Sequence, residues 1–186
     1  MTIQDSVHSE SPNGILSFWQ AAGPPRWFKK DTIFDQDFRN RFLPLHLAAA
    51  RRELDHWQRS ADGGLALLIL LDQFPRNAFR DTAHMFATDE LARYFATAMV
   101  GSGLDQDIEP ALRVFCYLPF EHSESLADQE RSLALQVDMD PSTRAFAEEH
   151  HRIIARFGRF PHRNRLLGRI TTAAEQEYLE AGGFAG

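Results

Sequence analysis

The chain has 186 residues, of which 44% are hydrophobic and 25% charged, and 20 Lys plus Arg against 26 Asp plus Glu give a net charge of −6. Length and composition are those of an ordinary globular domain, which excludes global disorder and any dependence on a disulfide or metal staple and favours one domain over two. A single cysteine, Cys116, excludes an internal disulfide framework and fits a reducing compartment, so the expected setting is the cytoplasm.

Residues 1–14 have neither a basic start nor an apolar core, so no signal peptide is read there. We expect a flexible tail over residues 1–13 and a single all-α domain over 14–186. Ile15, Leu16, Phe18 and Trp19 form a short apolar turn that Gly23-Pro24-Pro25 breaks. An amphipathic stretch then runs from about Asp35 through Phe38, Phe42 and Leu45 towards Trp57, with Pro44 predicting a kink or a break. Gly63-Gly64 opens Leu65 to Leu71, apolar on every side, which reads as a buried central helix. The run is far shorter than the ~20 residues a membrane span needs, so no membrane role is expected.

Thr88 is placed to cap a helix from Asp89 to about Val100, with Gly101 and Gly103 ending it. Pro110 suits the first position of a helix over Ala111–Leu118. Ser123 or Ser125 caps the next, to about Val137; Asp140-Pro141 starts another that ends at Gly158. Thr172 and Glu175 have the spacing of a capping box for the last. The sum is seven to nine helices in antiparallel pairs, arranged as a layered bundle or a solenoid-like stack.

Three polar clusters interrupt these apolar helices. In Asp72-Gln73-Phe74-Pro75-Arg76-Asn77 the carboxylate leaves the end of the buried helix and needs a partner, because an unpaired buried ion is prohibitively costly. Around Glu121, His122 and Glu124, followed by Asp128, a single helix would align three carboxylates for acid–base or metal chemistry, whereas capping serines would split the stretch in two. The third cluster holds Arg156, Arg159, His162, Arg163 and Asn164 around Gly158 and Pro161. From His150 to Ala174 six arginines meet no acidic residue, so this segment carries +6 and the rest of the chain −12. Guanidinium forks there suit a carboxylate or phosphate, supplied either by a ligand or by the acidic residues of the same fold.

The ordered blocks Trp27-Phe28, Leu71 to Asn77 with Phe79-Arg80, Phe86 to Asp89, Tyr117 to Glu124 with Asp128-Gln129, and Arg156 to Asn164 with Leu167-Gly168-Arg169 resemble the bacterial domain-of-unknown-function family 924. The resemblance covers about residues 14–181. It implies a fold of the tetratricopeptide-like helical superfamily and no established activity. Asp81 stands where that family tends to have glycine, and Thr172 to Glu175 lacks the proline usual in that cap.

On these residues the leading expectation is a binding module. Asp72, Gln73, Arg76, Asn77, Glu121, His122, Glu124, Arg156, Arg159, His162, Arg163 and Asn164 line one groove for an anionic small molecule or an acidic peptide end. An enzyme using Glu121, Glu124, Asp72 and His122 as acid, base or metal ligands is the alternative. A scaffold whose ion pairs fix helix register, with aromatics forming a homo-oligomeric or partner surface, is the third. The sequence contains no metal-binding motif, names no cofactor, and its overall acidity opposes nucleic-acid binding.

Overall fold

The computed structural model describes residues 11–185 and builds them into helices, with no strand among the described residues. The first ten positions of the expected tail lie outside the described residues. Backbone contacts divide the chain into two compact units: residues up to Arg80 with His84–Pro119, and Asp81–Ala83 with Phe120 onwards.

The first unit opens with α1 (Pro12–Ala22), longer than the apolar turn expected because Ser11 caps it, accepting from the Gly14 amide at 3.3 Å. Gly23 stops it with φ at 69°, and the two prolines then start the single turn α2 (Pro24–Trp27). Trp27 returns its indole N–H to the Trp19 carbonyl at 2.7 Å, and the two rings stack. Helix α3 (Thr32–Ala50), capped by the Asp31 carboxylate, runs through Pro44 without the expected break. The carbonyl that Pro44 deprives of a donor is that of Asn40, an exposed residue that water can serve. Phe34, Phe38 and Phe42 of this helix meet Phe18 and Trp19 of α1 in an aromatic layer.

The apolar run is the buried helix the pattern predicts. Helix α4 (Ala61–Leu68) starts before the two glycines, from a Ser60 cap, and every residue from Leu65 to Leu71 is buried. Gly63 opens nothing; it is there for closeness, because a Cβ would stand 2.2 Å from the Trp57 carbonyl oxygen. Nor does the helix end at Asp72. It continues as a π turn (Ile69–Gln73) into α5 (Phe74–Ala78). The chain then passes a 3-10 turn at Ala83–Phe86 and enters α6 (Asp89–Ser102), which ends on left-handed Gly103. Thr88 sits at the cap position of α6 but turns its hydroxyl to the Leu71 carbonyl. The helix expected over Ala111–Leu118 is instead a 3-10 turn, Arg113–Cys116, followed by a new α-helical turn α7 (Leu118–Glu121). Pro119 has no N–H for the carbonyl four residues back, so the α pattern restarts rather than continues.

The second unit pairs α8 (Leu126–Leu135) with α9 (Pro141–Phe157) across the short connection 136–140. Asp140 caps α9, Gly158 ends it in the left-handed region, and the Thr172–Glu175 capping box opens α10 (Ala173–Glu180), all as the sequence predicts. Ile153, Ile154 and Phe160 are buried with Phe157, Tyr178 and Phe184 packed around them. Asp81 adopts φ of 61°, a left-handed conformation that favours glycine, which accounts for the glycine expected at this position.

Gly63→Ala pushes a methyl into the Trp57 backbone rather than into a movable side chain. It is expected to destabilise the protein by about 1–3 kcal/mol in urea unfolding, without change of the m-value.

Candidate functional site

The first polar cluster is generated by the π turn. The Phe74 amide reaches back to the Ile69 carbonyl, and Pro75 has no amide to give, so the Leu70 and Leu71 carbonyls lose their helical donors inside the core. His46 Nδ1 takes up Leu70 at 2.9 Å and the Thr88 hydroxyl takes up Leu71. Arg76 Nη1 donates to the Asp72 carbonyl at 2.7 Å and lies 3.1 Å from the Asp72 carboxylate. The same guanidinium forks onto Asp89 at 2.9 and 3.1 Å. Gln73 donates to Asp72 at 2.6 Å. Asn77 donates at 2.7 Å to Asp35, which Arg80 also grips with two bonds at 2.6 and 3.2 Å. Thus Asp72, Gln73, Arg76 and Asn77 are all engaged within the first unit. Asp35 was missed in sequence because it reads as one more polar residue on an amphipathic helix.

The second and third clusters meet each other in the second unit. The acidic stretch is split, as the serines allow: α7 ends at Glu121, α8 begins at Leu126, and Ser123 donates to Asp128 at 2.7 Å. Glu121, buried, accepts from Gln136 at 2.9 Å, and His150 Nδ1 stands 3.4 Å away while bonding its own helix at the Phe146 carbonyl. Gln129 donates to the Glu121 and Ser123 carbonyls at 2.6 and 2.7 Å, closing the turn. Glu124 accepts the Phe160 amide at 2.8 Å and a two-bond fork from Arg169 at 2.7 and 3.0 Å. Burial works against this carboxylate's charge, but Arg169 and the amide hold it below the usual carboxylate range.

Within the arginine-rich loop, Arg159 forks onto Glu175 at 2.6 and 2.8 Å, and Asn164 reaches the same carboxylate at 3.3 Å. The Arg159 bonds, with the Thr172 cap, bring Glu175 down to about 2. Arg163 is buried with its guanidinium 4.4 Å above the Phe160 ring, while Arg156 is exposed and lies 4.6 Å from Phe157. His122, His150, Phe160, His162 and Phe184 form one aromatic cluster. His162 Nδ1 is buried there without a hydrogen-bond partner, and burial, aided by the nearby charges of Arg163 and His150, pushes His162 down to about 3. The sequence identifies Glu175 only as a cap; its second role, as the anion for Arg159, depends on α10 folding back beside the loop.

Among the described residues the first unit also has a depression of about 450 Å³ lined by Ser11, Pro12, Asn13, Ser60, Ala61, Asp62 and Gly63. A second, of about 240 Å³, is lined by Gln20, Pro24, Trp27, Glu109, Ala111 and Leu112. None of the sequence-predicted site residues lines either. No helix among the described residues is long and apolar enough to cross a membrane.

The family model described as "Bacterial protein of unknown function (DUF924)" matches residues 15–183. Among solved structures, the protein of unknown function ATU0120 from Agrobacterium tumefaciens is 53% identical, with a TM-score of 0.90 over 92% of this chain and 97% of that one. No curated protein matches the chain.

Two outcomes follow from the ionisations. Because His162 resists protonation until about pH 3 in the folded state, against an ordinary 6.5, its contribution is complete above pH 6.5 and declines as pH falls from 6.5 towards 3. Thermal melts across that range are expected to lose slope in His162→Phe. Glu175, depressed to about 2, stabilises above its unfolded value of 4.5 and loses this as pH falls from 4.5 to about 2. In Arg159→Ala the Glu175 carboxyl is expected to titrate back towards 4.5 by NMR, with a lower melting temperature at pH 7.

Proposed function

The chain belongs to the bacterial DUF924 family, and on that premise we propose that it works as a non-catalytic, tetratricopeptide-like helical scaffold whose polar motifs are internal fasteners. The observation that carries this is the fate of the guanidinium forks: Arg76 on Asp89, Arg80 on Asp35, Arg159 on Glu175 and Arg169 on Glu124, each through two hydrogen bonds. A fork spent on a carboxylate of the same unit takes two of the guanidinium's five N–H donors and offsets its charge, which weakens its hold on a ligand's carboxylate or phosphate. The groove for an anion and the acid–base enzyme therefore have less support than the scaffold. Glu121, the most buried of the carboxylates those readings rely on in the second unit, is likewise occupied by Gln136. The reading includes a cytoplasmic setting, supported by Cys116, a free thiol that burial pushes up to about 12 and so keeps unreactive. Its partners are a second copy of the chain or another protein, engaged through side chains outside the ion-pair clusters.

Arg76→Ala removes the partner of two largely buried carboxylates and is expected to cost about 3–5 kcal/mol, or roughly 10 °C in melting temperature. Phosphate, ADP and citrate at millimolar concentration are expected to leave the wild-type melting temperature unchanged. A rise with any of them that disappears in Arg159→Ala or Arg169→Ala would replace the scaffold with the anion-binding module.

A further inference from the structure

Two histidines that no sequence motif links are brought together in the first unit, beside the π turn. His46, on α3, is fully buried, and its Nδ1 lies 2.9 Å from the Leu70 carbonyl exposed by the π turn. A carbonyl only accepts, so Nδ1 carries the proton and Nε2 is left with its lone pair. That Nε2 faces Nε2 of His84, on the 3-10 turn Ala83–Phe86, at 3.4 Å. Both rings are held by aromatic neighbours: Phe74 stacks on His46 at 4.8 Å, and Phe79 lies 3.9 Å from His84 and 5.8 Å from His46. His84 is exposed on its turn.

We propose that His46 and His84 form a two-nitrogen binding site for a divalent cation of the zinc class. The separation fits that chemistry. Two Zn–N bonds of about 2.0–2.1 Å meeting at the tetrahedral angle put their nitrogens about 3.4 Å apart. The same separation is long for a hydrogen bond between two ring nitrogens, which prefers about 2.7–3.2 Å. The support behind the inner ligand also fits. Metal-binding imidazoles usually donate their other N–H to a carboxylate or a backbone carbonyl, which fixes the tautomer and aims the free nitrogen, and Leu70 does this for His46. His84, reached by water, is free to carry its proton on Nδ1 and turn the Nε2 lone pair to the same point. Imidazole donors select zinc, nickel or copper over magnesium or calcium, whose sites are built from oxygen.

Among the described residues no group of three or more histidine, cysteine, aspartate or glutamate side chains is placed to hold a metal ion. The pair is therefore a two-ligand site, with the remaining positions left to water or to a donor from outside. Its consequence in the fold is a tie between the turn at Ala83–Phe86 and α3 at His46.

The test is calorimetric titration of the full chain with ZnCl2 in a chelator-free, weakly coordinating buffer. One equivalent is expected to bind, and the melting temperature to rise by a few degrees. His84→Ala, at an exposed position, is expected to keep the metal-free melting temperature and to weaken zinc binding at least tenfold. His46→Asn keeps an amide donor for Leu70 while deleting the second nitrogen, and is expected to lose zinc in the same way; should it fail to fold, His84→Ala decides alone. His56→Ala is expected to bind as the wild type does. Absence of binding to the wild type, or an unchanged titration in His84→Ala, would overturn the proposal.

Discussion

The first unit depends on one backbone constraint. A helix buried on all sides from Leu65 to Leu71 has nowhere to put a carbonyl that lacks a donor, and the π turn with Pro75 behind it creates two such carbonyls. His46 and Thr88 take them up from different elements, and Arg76 takes the next, at Asp72. Arg76 and Asp72 are polar in an apolar interior and so need partners of their own, which draws in Asp89 and Gln73; Asn77 and Arg80 hold Asp35 beside them. Residues that look in one dimension like a reactive cluster here hold backbone carbonyls and one another by hydrogen bonds.

A different constraint organises the second unit. Six arginines follow one another without an acidic residue between His150 and Ala174, and their mutual repulsion has to be relieved by carboxylates from other segments. Left-handed Gly158 ends α9 so that the loop presents Arg159 to Glu175, and Arg169 reaches both Glu124 and the Phe160 carbonyl. Glu124 meanwhile binds the Phe160 amide, so one carboxylate ties the loop by both side chain and main chain. Part of the charge that reads as an anion-binding surface along the sequence, at Arg159 and Arg169, is neutralised inside the fold.

Helix-forming pattern, caps and stops act over four or five residues, and for that reason they were legible: the Leu65–Leu71 core helix, the Asp140 cap, the Gly158 stop and the Thr172–Glu175 box all stand where local rules put them. Local rules failed where a tertiary partner offered a backbone group something better. Thr88 gave up its cap for the Leu71 carbonyl, and Pro44 was absorbed because its helix face is exposed. Along the sequence Gly63 looks like punctuation, whereas a neighbouring carbonyl requires it.

The sequence by itself determined the all-α class, the buried central helix and which polar residues had to find partners, since burial of apolar side chains and the cost of an unpaired ion depend on residue type and spacing. Only the tertiary structure decided which partners those were. Asp35 with Arg80, Glu124 with Arg169 and His46 with His84 are separated by 38 to 45 residues, and pairings across such distances are set by how helices pack, a geometry that no short stretch of chain contains.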